Sequence, residues 1–65
     1  MSFQRIIDEY INTPIFQGGR NQELFKAAAA CKDEGYTQTQ AEQALLTKAQ
    51  GDGLPYGEIM QTIRS

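Results

Sequence analysis

A chain of 65 residues lies near the lower limit at which one hydrophobic core holds a fold without metal or disulfide support, so it makes one domain and excludes a second core or a deep substrate cavity. Apolar residues make up 40% of it and charged residues 22%, the proportions of a folded domain rather than a disordered one. The net charge of −2 argues against strong, non-specific binding of nucleic acid through phosphates alone, which draws on a clear positive excess.

The first segment carries Phe3, Ile6, Ile7, Tyr10 and Ile11, a three-and-four spacing that lays one apolar stripe along a helix behind a Ser2 N-cap. This predicts a helix over 3–12. It ends before Pro14, because the residue preceding a proline is pushed out of the helical region and proline has no amide proton to donate. A loop follows through Pro14-Ile15-Phe16-Gln17-Gly18-Gly19, whose paired glycines permit unusual backbone angles and leave the main chain unshielded.

A second helix is predicted over 21–34, with Leu24, Ala27, Ala28 and Cys31 on its buried face and Gly35 placed to close it in a left-handed cap. Its alanine run, Ala27 to Ala30, has high helix propensity and lets neighbouring helices approach closely. Thr37 followed by Gln40 is a capping-box pattern and opens a third helix over 38–50, burying Ala41, Ala44, Leu45 and Ala49. Gly51-Asp52-Gly53 stops it. A last helix over 55–64 starts at Pro55, a residue favoured in a first helical turn, and buries Ile59, Met60 and Ile63. Alternation of period two is nowhere sustained, so no strand competes. The expected fold is all-α, a small orthogonal bundle of three to four short helices forming one domain over 1–65.

The chemistry available to this chain is narrow. Cys31 is the only cysteine and there is no histidine, so an intrachain disulfide is impossible, a nucleophilic cysteine lacks its base, and a metal site would rest on carboxylates alone. Asp8-Glu9 and Asp33-Glu34 are adjacent in sequence, which on a helix turns them about 100° apart rather than toward one another. The expectation is a non-enzyme with no cofactor. No segment reaches the roughly 20 apolar residues that span a bilayer, and the opening residues lack the apolar stretch of a signal peptide, so a cytoplasmic protein is expected.

The six basic residues, Arg5, Arg20, Lys26, Lys32, Lys48 and Arg64, are scattered, and any basic patch has to be assembled by folding. One place gathers anion-binding features: at Gly18-Gly19-Arg20-Asn21, free amides, the positive end of a helix dipole and a guanidinium converge. The alternative reading is structural, with glycines making a turn, Asn21 capping the helix and Arg20 solvated. The stretch is not a Walker loop, which requires Gly-Lys-Ser/Thr, nor a dinucleotide fingerprint. The aromatic residues Phe16, Tyr36 and Tyr56 fall in or beside loops, where such rings stack on bases or cover core edges.

The stretches Gly18-Gly19-Arg20-Asn21-Gln22-Glu23-Leu24-Phe25, Cys31-Lys32-Asp33-Glu34-Gly35-Tyr36, Leu54-Pro55 with Ile59, and Ile63-Arg64-Ser65, in that order, resemble the primase C-terminal domain family. That family is a helical module found after the polymerising domain of many plasmid and phage primases and replication initiators. The resemblance covers roughly residues 15 to 65 and leaves the first helix and any primase catalytic domain outside it. It implies a role in DNA replication, assisting a neighbouring catalytic domain in engaging template or nucleotide. Carried over by position, Gly18 or Gly19, Arg20 and Asn21 match the family's signature turn and Arg64 and Ser65 its closing segment; the expected phosphate-contacting surface is Arg20, the free amides of the second helix's first turn and Arg64. The competing expectation is a protein-docking module, linking a primase to a helicase through exposed apolar residues such as Phe16, Phe25 or Tyr56. A third is a structural spacer.

Overall fold

The computed structural model describes residues 2–13 and 19–65, and its four helices are α1 (Phe3–Ile11), α2 (Arg20–Asp33), α3 (Gln38–Gly51) and α4 (Tyr56–Arg64). The fold is an all-α bundle. The middle pair, α2 and α3, pack on each other and each touches both α1 and α4, while α1 and α4 make no direct backbone contact among the described residues.

Local chemistry sets the helix ends. Ser2 caps α1, its hydroxyl accepting from the Arg5 amide at 3.2 Å. At the other end of α1, Asn12 Nδ2 donates to the Asp8 carbonyl at 2.9 Å and Thr13 Oγ1 to that of Glu9 at 2.7 Å, covering carbonyls the helix leaves open. Thr37 and Gln40 form the capping box of α3, each side chain accepting from the other's backbone amide.

Two helices end in the same way. Gly35 has φ 85° after α2, with its amide donating to the Lys32 carbonyl and that of Tyr36 reaching the Cys31 carbonyl, each at 3.0 Å. After α3, Gly53 has φ 97°, its amide donating to the Gln50 carbonyl at 3.0 Å and that of Leu54 to the Ala49 carbonyl at 3.1 Å. These are paired Schellman closures, and each turns the next residue back onto the helix it ends. Leu54 is thereby buried, a core position the helical periodicity does not predict.

The core is continuous, with Leu24, Cys31, Leu45, Ala49 and Ile59 fully enclosed, and Ile6, Ile7 and Tyr10 bringing α1 onto it. Two members of the expected α1 stripe differ: Phe3 is half-buried and Ile11 is 50% exposed. Ala44 is also only partly buried. Helix boundaries shift by one residue from the sequence expectation. α1 ends at Ile11, with Asn12 as its cap, and α2 begins at Arg20, with Gly19 in the cap position. That replaces the expected start at Asn21, whose side chain is committed elsewhere. α2 ends at Asp33, α3 continues through Gly51, and Pro55 stands outside α4 as its N-cap.

Candidate functional site

Of the expected anion-binding turn, Gly18 lies outside the described residues, as does the Phe16 of the docking expectation. Gly19 is the N-cap of α2 and makes no side-chain cap bond, as glycine must. Arg20 is half-buried. Its Nη1 donates to the main-chain carbonyl of Asp52 at 2.9 Å, at the C-cap of α3. The Asp52 side chain receives Lys48 Nζ at 2.6 Å, in an ion pair whose side chains are only 14% and 5% exposed. Lys48 also sits 4.7 Å from the centre of the Tyr10 ring, a cation–π contact, and reaches the Thr13 carbonyl at 3.5 Å. One corner therefore ties the end of α1, the start of α2 and the end of α3 together.

The Tyr10 hydroxyl is buried there and has no hydrogen-bond partner among the described residues. Burial, reinforced by the negative charges of Asp52 and Glu23, pushes the phenol up to about 12.

Asn21 is exposed, and its side-chain amide reaches across to α4. Its Nδ2 donates to Thr62 Oγ1 at 2.7 Å and to Glu58 Oε2 at 3.1 Å, satisfying the one buried polar residue of α4. Neither a capping role for Asn21 nor a free, solvated Arg20 describes these side chains. Arg64 donates through Nε to Glu42 Oε2 at 3.2 Å. Glu42 also accepts from Gln38 Nε2 at 2.9 Å, and this bond first, then Arg64, holds its carboxyl below the ordinary value of 4.5. Arg20, Asn21 and Arg64 each make a different contact between helices.

The remaining residues are equally informative. Cys31 is fully buried, and burial pushes its thiol above the ordinary value of 9.0, which keeps it protonated and unreactive. Among the described residues no group of three or more Cys, Asp or Glu side chains is arranged to hold a metal ion. No described helix is long and apolar enough to cross a membrane.

Among the described residues two rings are left on the surface, Phe25 at 47% exposure and Tyr56 at 59%. Phe25 lies on a groove of about 250 Å³ between α2 and α4, whose apolar lining includes Ala28, Ala29 and Ile63. Next to it, sharing Ala28, Lys32, Ile63 and Ser65, is a pocket of about 180 Å³ that adds Tyr36, Gln38, Ala41 and Arg64. Sequence reading places Lys32 on a helix face but has no signal for this pocket, which takes one wall from each of three elements. The Tyr36 ring packs edge-on to Phe3 with centroids 4.7 Å apart, and its hydroxyl accepts from the Phe3 amide at 2.9 Å, so it serves as an anchor for α1.

These features define a helical bundle with a shallow apolar groove on one side. No family model matches the chain, and no curated protein or solved structure matches it.

Proposed function

We propose that this chain is a non-catalytic helical accessory domain of a DNA primase or replication initiator, and that it works by docking onto a protein of that machinery. The replication setting comes from the resemblance to the primase C-terminal domain family. The docking mode rests on one observation: the polar side chains of the family-like turn and ending are spent between helices, whereas the rings of Phe25 and Tyr56 stand exposed. In this reading the motif residues are determinants of the fold. Partner recognition then falls to the exposed apolar surface, where aromatic anchors dominate binding.

The second reading is engagement of template or nucleotide at the first turn of α2. It is favoured by Gly19, which supplies no side chain to cover the leading amides of that 14-residue helix. Arg64, 58% exposed beyond its Glu42 bond, adds a cation elsewhere on the surface.

One titration separates the two. Isotope-labelled protein is mixed with the primase catalytic domain or helicase of its own replicon, and separately with a short single-stranded template with and without nucleoside triphosphate. Docking predicts that the protein partner shifts the Phe25 and Tyr56 regions, that Phe25→Ser weakens binding by about tenfold or more, and that added salt changes little. Shifts confined to Gly19–Asn21, produced by template and fading with salt, would replace docking with nucleic-acid contact.

A further inference from the structure

We infer that Asp52-Gly53 is a site of spontaneous isoaspartate formation, and that Arg20 keeps it unreacted in the folded protein by clamping the Asp52 carbonyl. It is the one Asp-Gly or Asn-Gly step in the sequence. A glycine has no side chain to shield its amide nitrogen, so that nitrogen can reach the carboxyl of the aspartate before it. In the reaction the Gly53 nitrogen bonds to Asp52 Cγ, and its proton leaves as water with the hydroxyl of the protonated carboxyl. The product is a cyclic succinimide. Water then adds to one of the two ring carbonyls and breaks its bond to nitrogen. Breaking at the main-chain carbonyl leaves isoaspartate, joined to Gly53 through its side chain; breaking at the other restores aspartate, and neither route changes the mass of the chain.

The folded corner opposes ring closure directly. Closure needs the Gly53 nitrogen eclipsed with Asp52 Cβ about the Cα–C bond. At the observed ψ of −6° it is eclipsed with the Asp52 nitrogen instead, so the bond must rotate by about 120°, the spacing of substituents on a tetrahedral carbon. That rotation also swings the Asp52 carbonyl oxygen, which shares one rigid peptide plane with the Gly53 nitrogen. Both atoms are held: the oxygen accepts from Arg20 Nη1 at 2.9 Å, and the Gly53 amide donates to the Gln50 carbonyl at 3.0 Å. The carboxylate is tethered as well, with Oδ2 2.6 Å from Lys48 Nζ and the side chain only 5% exposed. Reaction therefore requires the corner to open. Isoaspartate then puts an extra methylene into the main chain between Asp52 and Gly53, which disrupts the closure that returns the Leu54 amide to the Ala49 carbonyl and loosens the joint of α1, α2 and α3.

The test incubates the whole chain in neutral buffer, below its melting transition, beside a synthetic peptide of residues 49–64, the tryptic fragment that contains the bond. Isoaspartate is counted by chromatographic separation of that fragment and by carboxyl methylation with an isoaspartyl methyltransferase. The folded chain should form it at least about tenfold more slowly than the peptide, since only the opened fraction reacts. Equal rates overturn the clamp whatever any variant does, and a peptide that forms none overturns the site. Arg20→Ala should speed the reaction of the folded chain about fivefold or more, the factor that corresponds to losing a contact of this size. Asn21→Ala removes a contact with α4 of similar worth and leaves this corner intact, so it should change the rate by less than about twofold. Equal acceleration by the two variants, or none by Arg20→Ala, overturns the role of Arg20.

Discussion

Arg20 is joined to Asp52 across 32 residues of chain, its guanidinium giving a hydrogen bond of 2.9 Å to the carbonyl that closes α3. That carbonyl belongs to the set a helix end leaves without an intrahelical donor, so the contact answers a need of the backbone. Arg20→Ala should lower unfolding stability by about 1–2 kcal/mol, the worth of a charge-assisted bond to a half-buried acceptor. Urea unfolding measures it, and an unchanged midpoint would show that the contact contributes nothing. Arg20→Lys should recover only part, because an ammonium does not reproduce the guanidinium fork.

Gly53 is constrained by the same arginine. It has φ 97°, and a Cβ placed there would lie 2.7 Å from Arg20 Nη1. Gly53→Ala is expected to cost about 1–3 kcal/mol through backbone strain and displacement of the guanidinium. Since part of that cost is the collision, the double variant with Arg20→Ala should be less unstable than the two single losses added together. Gly57 is the contrast: it lies in α4, where an added Cβ would meet nothing within 4 Å, and Gly57→Ala should stabilise by about 0.5 kcal/mol.

Asn21→Ala removes the amide that serves Thr62 and Glu58. A loss of about 1–2 kcal/mol is expected, because the Thr62 hydroxyl is buried and loses its cross-helix donor. Thermal unfolding checks this. If binding to a template fell sharply while stability held, Asn21 would be a ligand contact and its structural assignment would fail.

The alkaline limb of stability should belong to Tyr10. Its folded pKa is raised from 10.0 to about 12, so the folded protein holds the phenolic proton more tightly than the unfolded chain does. The stability linked to the neutral phenol is therefore complete below pH 10 and is lost as pH rises through about 12, with a total of about 2–3 kcal/mol. Tyr10→Phe should abolish this limb. At neutral pH the same change should be neutral or stabilising by up to about 1 kcal/mol, since the ring stays under Lys48 and a hydroxyl without a partner among the described residues is removed. A melting-temperature series against pH for both proteins is the measurement.

At the acid end the sign reverses. Glu42 is held below its ordinary 4.5, so its contribution is present above that pH and is lost as pH falls through the lower folded value. Glu42→Gln should flatten that part of the acid profile. It should also leave the Arg64 guanidinium without its Glu42 partner, which a double variant with Arg64→Gln would reveal as a coupling between the two positions.

Much of this architecture was legible in the sequence because it is decided within a few residues. The spacing of Ile6, Ile7 and Tyr10, the Thr37–Gln40 box and the glycine after α2 all act over one or two helical turns, where covalent geometry already brings the groups together. Leu54 escaped that reading because its burial follows from the Schellman turn preceding it, not from a helical stripe. The partners of the candidate site's side chains were not legible. A glycine-flanked arginine at a helix entrance has the same sequence appearance whether it waits for a phosphate or holds a neighbouring carbonyl.

The sequence by itself determined that this is a helical chain with one small core, where its helices begin and end to within one residue, and that its lone cysteine faces inward. Only the tertiary structure decided what Arg20, Asn21 and Arg64 do, because their partners lie 32, 41 and 22 residues away. Such pairings depend on how α2, α3 and α4 pack, and packing follows from the summed burial of the whole core rather than from any local pattern. The same packing left Phe25 on the surface and brought Lys32 and Arg64 to the lining of one pocket.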